Sequence, residues 1–116
     1  LAHIDRNPDA VLHAELADAG AYLGYDGWAR SRSWPDATLV NCMADAIGRG
    51  ARDRIVIGGD VARRSRYIEY GGMPGLEYVG HRVIPALESR IGADQLTAIT
   101  TTNPARLLAR FSATTA

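Results

Sequence analysis

Apolar positions come in short blocks that end on Asp, His or Gly, each followed by a longer stretch with apolar residues at helical spacing. Residues 1–5 form the first block and predict a strand. Asn7-Pro8-Asp9 then predicts a helix start: Asn7 can cap free backbone N–H groups, and Pro8 suits the first helical position. Val11, Leu12, Leu16 and Ala19 recur at helical spacing, and Gly20 stands where a left-handed residue ends a helix. Residues 21–25 predict a second strand that closes on Asp26-Gly27. After an Arg- and Ser-rich loop, Pro35 opens a second helix. Leu39, Val40, Met43, Ala44 and Ile47 share one face of it, and Gly48 and Gly50 lie at its end. Residues 54–60 predict a third strand, whose β-branched run suits a parallel strand covered on both faces.

Residues 61–75 read as a long loop containing Gly71, Gly72, Pro74 and Gly75. A third helix is predicted over 76–91, with Pro85 marking a kink or a restart. A short helix follows at 94–99. Asn103-Pro104 predicts a last helix through about Phe111, by the same capping logic as Asn7-Pro8, and residues 112–116 read as a frayed tail. Strands and helices thus alternate at a spacing of about 30 residues, the pattern of right-handed βαβ units. Such units build an open doubly wound sheet or a TIM barrel. No strand is followed by Gly-x-Gly-x-x-Gly, so the dinucleotide-binding version of the open sheet is not indicated and the barrel is favoured. A whole barrel takes roughly 250 residues. The 116 residues form one α/β domain, 1–116, supplying about three of the eight (βα) units. Residue 1 begins inside an apolar segment without an initiator Met and reads as a cut end.

Composition narrows the partners. There are 13 basic and 13 acidic residues, a net charge of zero, which gives no general attraction to nucleic acid or an acidic membrane. Every basic residue is Arg, so Lys chemistry is excluded within the chain. The single Cys42 allows no disulfide framework and reads as a buried small hydrophobe in a reducing, cytoplasmic setting. No apolar run reaches the length of a membrane span, and the first residues do not form a signal peptide.

In a barrel of this kind, chemistry sits at the C-terminal ends of the strands. All three predicted ends carry polar side chains: His3 and Asp5, Asp26, and Asp60. His and Asp together suit a divalent metal with mixed nitrogen and oxygen ligands. Such a metal makes hydroxide available near neutral pH, and a nearby carboxylate can take the proton. Each residue also has a plainer reading: His3 as a satisfied polar residue, Asp60 and Asp26 as turn residues, Asp5 as an aid to the helix start. His13 and His81 fall in helical stretches and read as surface or packing residues. Arg63-Arg64-Ser65-Arg66 closely follow Asp60, and Arg30 and Arg32 follow the second strand. Arg forks at a barrel mouth suit a small anionic substrate. An RNA-binding patch with Tyr67, Tyr70, Trp28 and Trp34 interleaved is the weaker alternative, given the zero net charge.

Five segments in order carry a resemblance: residues 3–9 (HIDRNPD), 20–26 (GAYLGYD), 57–65 (IGGDVARRS), 70–76 (YGGMPGL) and 102–106 (TNPAR). Together they resemble the phosphotriesterase family of the amidohydrolase superfamily, over residues 1 to about 111. The resemblance implies the C-terminal part of a (β/α)8 metal-dependent hydrolase barrel, strands six to eight with their helices. It implies two divalent metals per complete site, usually zinc. His3 would be the sixth-strand metal ligand. Asp60 would be the eighth-strand Asp, binding metal and handling the proton of the bridging hydroxide.

The other ligands of that site would precede Leu1, so the N-terminal remainder of the barrel is the expected partner and this chain alone is expected to be inactive. Organophosphate-degrading members carry a His where this chain has Gly27 and a carboxylate where it has Arg6. The segment after Asp60 looks more like members that hydrolyse lactones, including phosphorylated sugar lactones. On that reading Arg63 contacts a phosphate, with Arg66, Tyr67, Arg30 and Asp26 as further substrate-binding positions. A non-catalytic half-barrel that binds or assembles is the alternative, and a homodimer is an open option.

Overall fold

The computed structural model describes residues 1–30 and 33–109. Arg32, Phe111 and the 112–116 segment lie outside the described residues. Two strands, β1 (Leu23–Tyr25) and β2 (Ile55–Ile57), pair in parallel, with Leu23 opposite Ile55 and Tyr25 opposite Ile57. The pairing continues one step further, Gly58 N donating to Tyr25 O at 3.1 Å. Among the described residues five α-helices flank them: α1 (Ala10–Asp18), α2 (Asp36–Ala46), α3 (Ile84–Ile91), α4 (Ala93–Thr97) and α5 (Asn103–Leu108). The α2 crossover between β1 and β2 is what a parallel pair requires.

The predicted first strand is a correction. Only Leu1 pairs with β1: its N donates to Tyr22 O at 2.7 Å and its O accepts from Gly24 N at 2.8 Å, the parallel ladder pattern. Residues Ile4–Arg6 coil instead into a 3-10 turn behind a left-handed His3 (φ 59°). The coil forms because Asp5 turns inward and is fully buried, rather than standing at an open strand end.

One face of the strands makes the core. Leu23, Tyr25 and Ile55 are fully buried in one cluster with Leu39, Met43 and Ala46 of α2, Leu87 of α3, and Ile99. Burying each such large apolar side chain contributes about 1.5–3 kcal/mol, so this face holds the sheet to its helices. Gly50 (φ 101°) closes the wide turn Ile47–Ala51 after α2, as its position predicted. Pro85 lies in the first turn of α3, and the wide turn Val79–Val83 runs into it without a break in helical backbone, so the expected kink or restart is replaced by a widened turn.

Two helix starts differ from expectation. The cap of α1 is Asp9, whose side chain accepts from Leu12 N at 3.1 Å; Pro8 stands before the helix. Asn103 does not cap α5. It is fully buried, and its Nδ2 donates to Arg52 O at 2.6 Å and Ile55 O at 2.8 Å, tying the helix to the start of β2. Of the two readings of His13, surface or packing, the structure shows packing: it is fully buried. Its Nε2 donates to the Asn7 carbonyl at 2.8 Å, which leaves Nδ1 as the acceptor for the Tyr25 hydroxyl. Cys42 Sγ lies 3.7 Å from both of these groups, completing a buried polar cluster behind β1. His81 is exposed. No helix among the described residues is long and apolar enough to cross a membrane.

Candidate functional site

Polar groups collect where the strands end, and the backbone there is unusual. Among the described residues, three non-glycine positions have positive φ: His3 (59°), Ala29 (58°) and Asp60 (48°). All three fall just past a strand or its stub. Such conformations are costly and persist only where surrounding contacts impose them.

At the first end, His3 Nδ1 sits 2.8 Å from both carboxylate oxygens of Asp26. A carboxylate accepts, so Nδ1 carries a proton, and Nε2 is the ring nitrogen that Asp26 does not engage. This is the arrangement in which a carboxylate orients a metal-ligating His. Asp5, two residues on, accepts from Gly27 N at 2.7 Å through Oδ2, while its Oδ1 is buried without a partner. Burial pushes the Asp5 carboxyl above the usual carboxylate range, against the lowering effect of the Gly27 bond.

At the third end, Asp60 is held by Arg30. Nη2 of Arg30 reaches Oδ2 at 2.6 Å and the Asp60 carbonyl at 3.2 Å. Arg30 comes from the loop after β1, which Asp36 fixes by accepting from Ala29 N at 2.8 Å and from the Tyr78 hydroxyl. That bond to Asp36 also raises the Tyr78 hydroxyl above its ordinary value.

Beside Asp60 opens a cleft of about 670 Å³ lined by Arg6, Arg30, Arg63, Arg66, Ser65 and Met73. Arg66 donates to Trp28 O at 3.1 Å, while its Nε is buried without a partner. Burial, and next the charge of Arg30, push Arg66 below its ordinary value, with Asp60 opposing. Four guanidiniums around one carboxylate leave a net positive cleft suited to an anion.

The structure therefore brings Arg30, Arg63 and Arg66 together with Asp60 in one cleft, and pairs His3 with Asp26 outside its lining. Tyr67 is not in the lining; its hydroxyl donates to Val61 O at 2.8 Å and braces the loop. Trp28 is buried, with its indole donating to Tyr25 O, so it offers no stacking face. Sequence reasoning did not place Arg6, Ser65 or Met73 in the cleft. Arg6 had a signal, standing three residues after His3 on the same strand-end turn.

For a divalent metal, the donor chemistry of His3 and Asp60 fits. Among the described residues no group of three or more His, Cys, Asp or Glu is placed to hold a metal ion.

Two parallel strands joined through a helix, with charged side chains gathered at the strand ends, define an α/β protein. Its backbone superposes on a lactonase from Listeria monocytogenes with a TM-score of 0.88 and 29% identity, covering 95% of this chain and 35% of that one. The chain belongs to the phosphotriesterase family, whose model matches residues 1–108. It is 29% identical to a phosphotriesterase-related protein of Drosophila grimshawi, over 97% of this chain and 35% of the relative. It is 26% identical to a phospho-furanose lactonase of Mycoplasmopsis synoviae (strain 53), over 94% of this chain and 33% of the relative. The chain spans about a third of the length of these relatives, which have the TIM-barrel fold of the family.

Proposed function

We propose that the full-length protein is a metal-dependent hydrolase that opens a lactone bearing an anionic group, a phosphorylated sugar lactone being the best fit. These residues would supply strands six to eight of its barrel. The observation that carries the reading is the cleft in which Arg6, Arg30, Arg63 and Arg66 surround Asp60. The phospho-furanose lactonase among the relatives agrees with it.

A divalent metal, zinc in most of the family, would lower the pKa of a water to roughly 7 when bound. His3 would hold it through Nε2, the nitrogen that Asp26 leaves free, and Asp60 through its carboxylate. Arg63 and Arg66 would bind the anionic group and fix the ring carbonyl near Asp60. As the water oxygen adds to the carbonyl carbon, the Asp60 carboxylate accepts its proton. The ring C–O bond then breaks, and the proton passes to the departing oxygen, giving the hydroxy acid. Arg30 would hold Asp60 in place through Oδ2.

The test uses the full-length protein on paired lactones, one phosphorylated and one neutral. Asp60→Asn should lower turnover of both by roughly 10²–10⁴-fold, the usual worth of a positioned proton acceptor. Arg63→Ala should raise KM for the phosphorylated lactone alone. Unchanged turnover in the Asp60 variant removes it from the mechanism, and equal effects of Arg63→Ala on both lactones remove the anion contact.

A second reading rests on a different observation. The sheet face opposite the core carries an open, mainly apolar groove of about 280 Å³ lined by Leu1, Ala2, Tyr22, Val56, Ile57 and, from α5, Leu107. A half-barrel acting as a binding or assembly module would use that face, with no metal bound.

A further inference from the structure

Residues 5, 6 and 7, which follow His3, are each held by a different part of the molecule. Asp5 Oδ2 accepts from Gly27 N at 2.7 Å, Arg6 O accepts from Trp34 Nε1 at 3.0 Å, and Asn7 O accepts from His13 Nε2 at 2.8 Å. Only the first bond reaches the residue next to Asp26, the partner of His3. Asp5 is 1% exposed and does not line the arginine cleft, so it touches no substrate bound there. Its approach to β1 is close. A Cβ on Gly27 would stand 3.1 Å from Asp5 Oδ2 and 3.3 Å from its Cγ and Oδ1. Gly27 has no left-handed backbone to explain a glycine. The space its side chain would need is taken by the Asp5 carboxylate.

We infer that Asp5 is a positioning residue: its bond to the Gly27 backbone sets the place of His3 against Asp26, and Gly27 is the matching half of that clamp. The claim rests on the reading that His3 serves the reaction site. Without the bond, the part-exposed His3–Asp26 contact and the Leu1 pairing two residues before it are left to join the His3 turn to β1. The His3 side chain makes no capping bond to the turn that His3 opens. A reacting group displaced by about 1 Å loses roughly a hundredfold in rate.

The experiment compares Asp5→Ala, Asp5→Asn, Gly27→Ala and the Asp5→Ala/Gly27→Ala pair in the full-length protein. It reads the Gly27 amide proton shift, the His3 ring nitrogen shifts, and kcat and KM. Asn keeps an oxygen for the Gly27 N–H; Ala does not. Asp5→Ala and Gly27→Ala should each move the His3 ring signals and lower kcat roughly tenfold to a hundredfold, with KM changed less. The pair should be no worse than either single change, because both break one contact. Asp5→Asn should keep the amide shift and most of kcat.

His3 signals and kcat that stay put in Asp5→Ala while the melting temperature falls would make Asp5 structural only and overturn the inference. Loss in Asp5→Asn equal to that in Asp5→Ala would overturn it too, since charge and not the bond would then matter. If Asp5→Ala does not fold, Gly27→Ala and Asp5→Asn decide alone by the same signals. A wild type that opens no lactone sinks the proposed reaction, while the ring and amide shifts still decide the clamp.

Discussion

Cys42, Tyr25 and His13 form a polar cluster inside an otherwise apolar layer, and the thiol and phenol protons are tightly kept. Burial pushes the Cys42 thiol above its ordinary 9.0, more than the Tyr25 hydroxyl beside it pulls it down. Burial, then Cys42 itself, pushes Tyr25 above its ordinary 10.0. In the unfolded chain both groups release protons as pH passes those ordinary values, while the folded chain retains them. Above about pH 9 the folded state therefore binds more protons, and its stability falls as pH rises. Cys42→Ala should make that alkaline decline shallower without removing it, because Tyr25 pulls the same way. Urea midpoints of the full-length protein and the variant, taken from pH 7 to 10.5, measure this; parallel curves would deny Cys42 a part. Little of the cluster was legible beforehand. Helical spacing gave His13 no preferred side, and only the fold brings Asn7 O to its ring.

Along single elements, helix ends show where sequence rules compete. Asn7, Pro8 and Asp9 can each open a helix, and spacing does not rank them. The structure chooses Asp9 because the Asn7 carbonyl is committed to His13 before the helix begins. Asp9→Ala should thus cost ~1 kcal/mol, as lost caps do, while Asn7→Ala should cost much less, since its side chain makes no bond there. Chemical denaturation of the two full-length variants checks it; a larger loss at Asn7 would return the cap to that residue. Asn103-Pro104 failed for a related reason. Its amide is drawn inward to β2, a long-range contact that no local pattern contains. The glycine stops were legible because they follow from backbone rules acting within a few residues, and the parallel pair β1–β2 because a helix between two apolar runs makes the crossover such a pair needs.

At the scale of the whole molecule, the arginine cleft was readable in part. Arg30, Arg63 and Arg66 sit near predicted strand ends, whereas Arg6 needed the 3-10 turn that replaces the expected first strand. The same scale exposes what these 116 residues do not cover. Among the described residues β2 pairs with β1 alone, so its far edge offers unpaired backbone groups. The groove over Val56 and Leu107 adds an open apolar surface, and Leu108 is 77% exposed. A two-stranded sheet with one bare face is marginal in water and invites another surface to cover it. In a closed barrel the missing strands would fill that edge and face. Residues 1–116 expressed alone should therefore associate in light scattering and bind a hydrophobic dye, and should bind zinc weakly with only His3 and Asp60 to hold it. The full-length protein should show neither association through this face nor dye binding, and should hold its metal. A segment that stays monomeric and dye-free would mean the face is closed by its own residues, and the barrel reading would lose its physical support; an orderly dimer without metal would instead favour the assembly module.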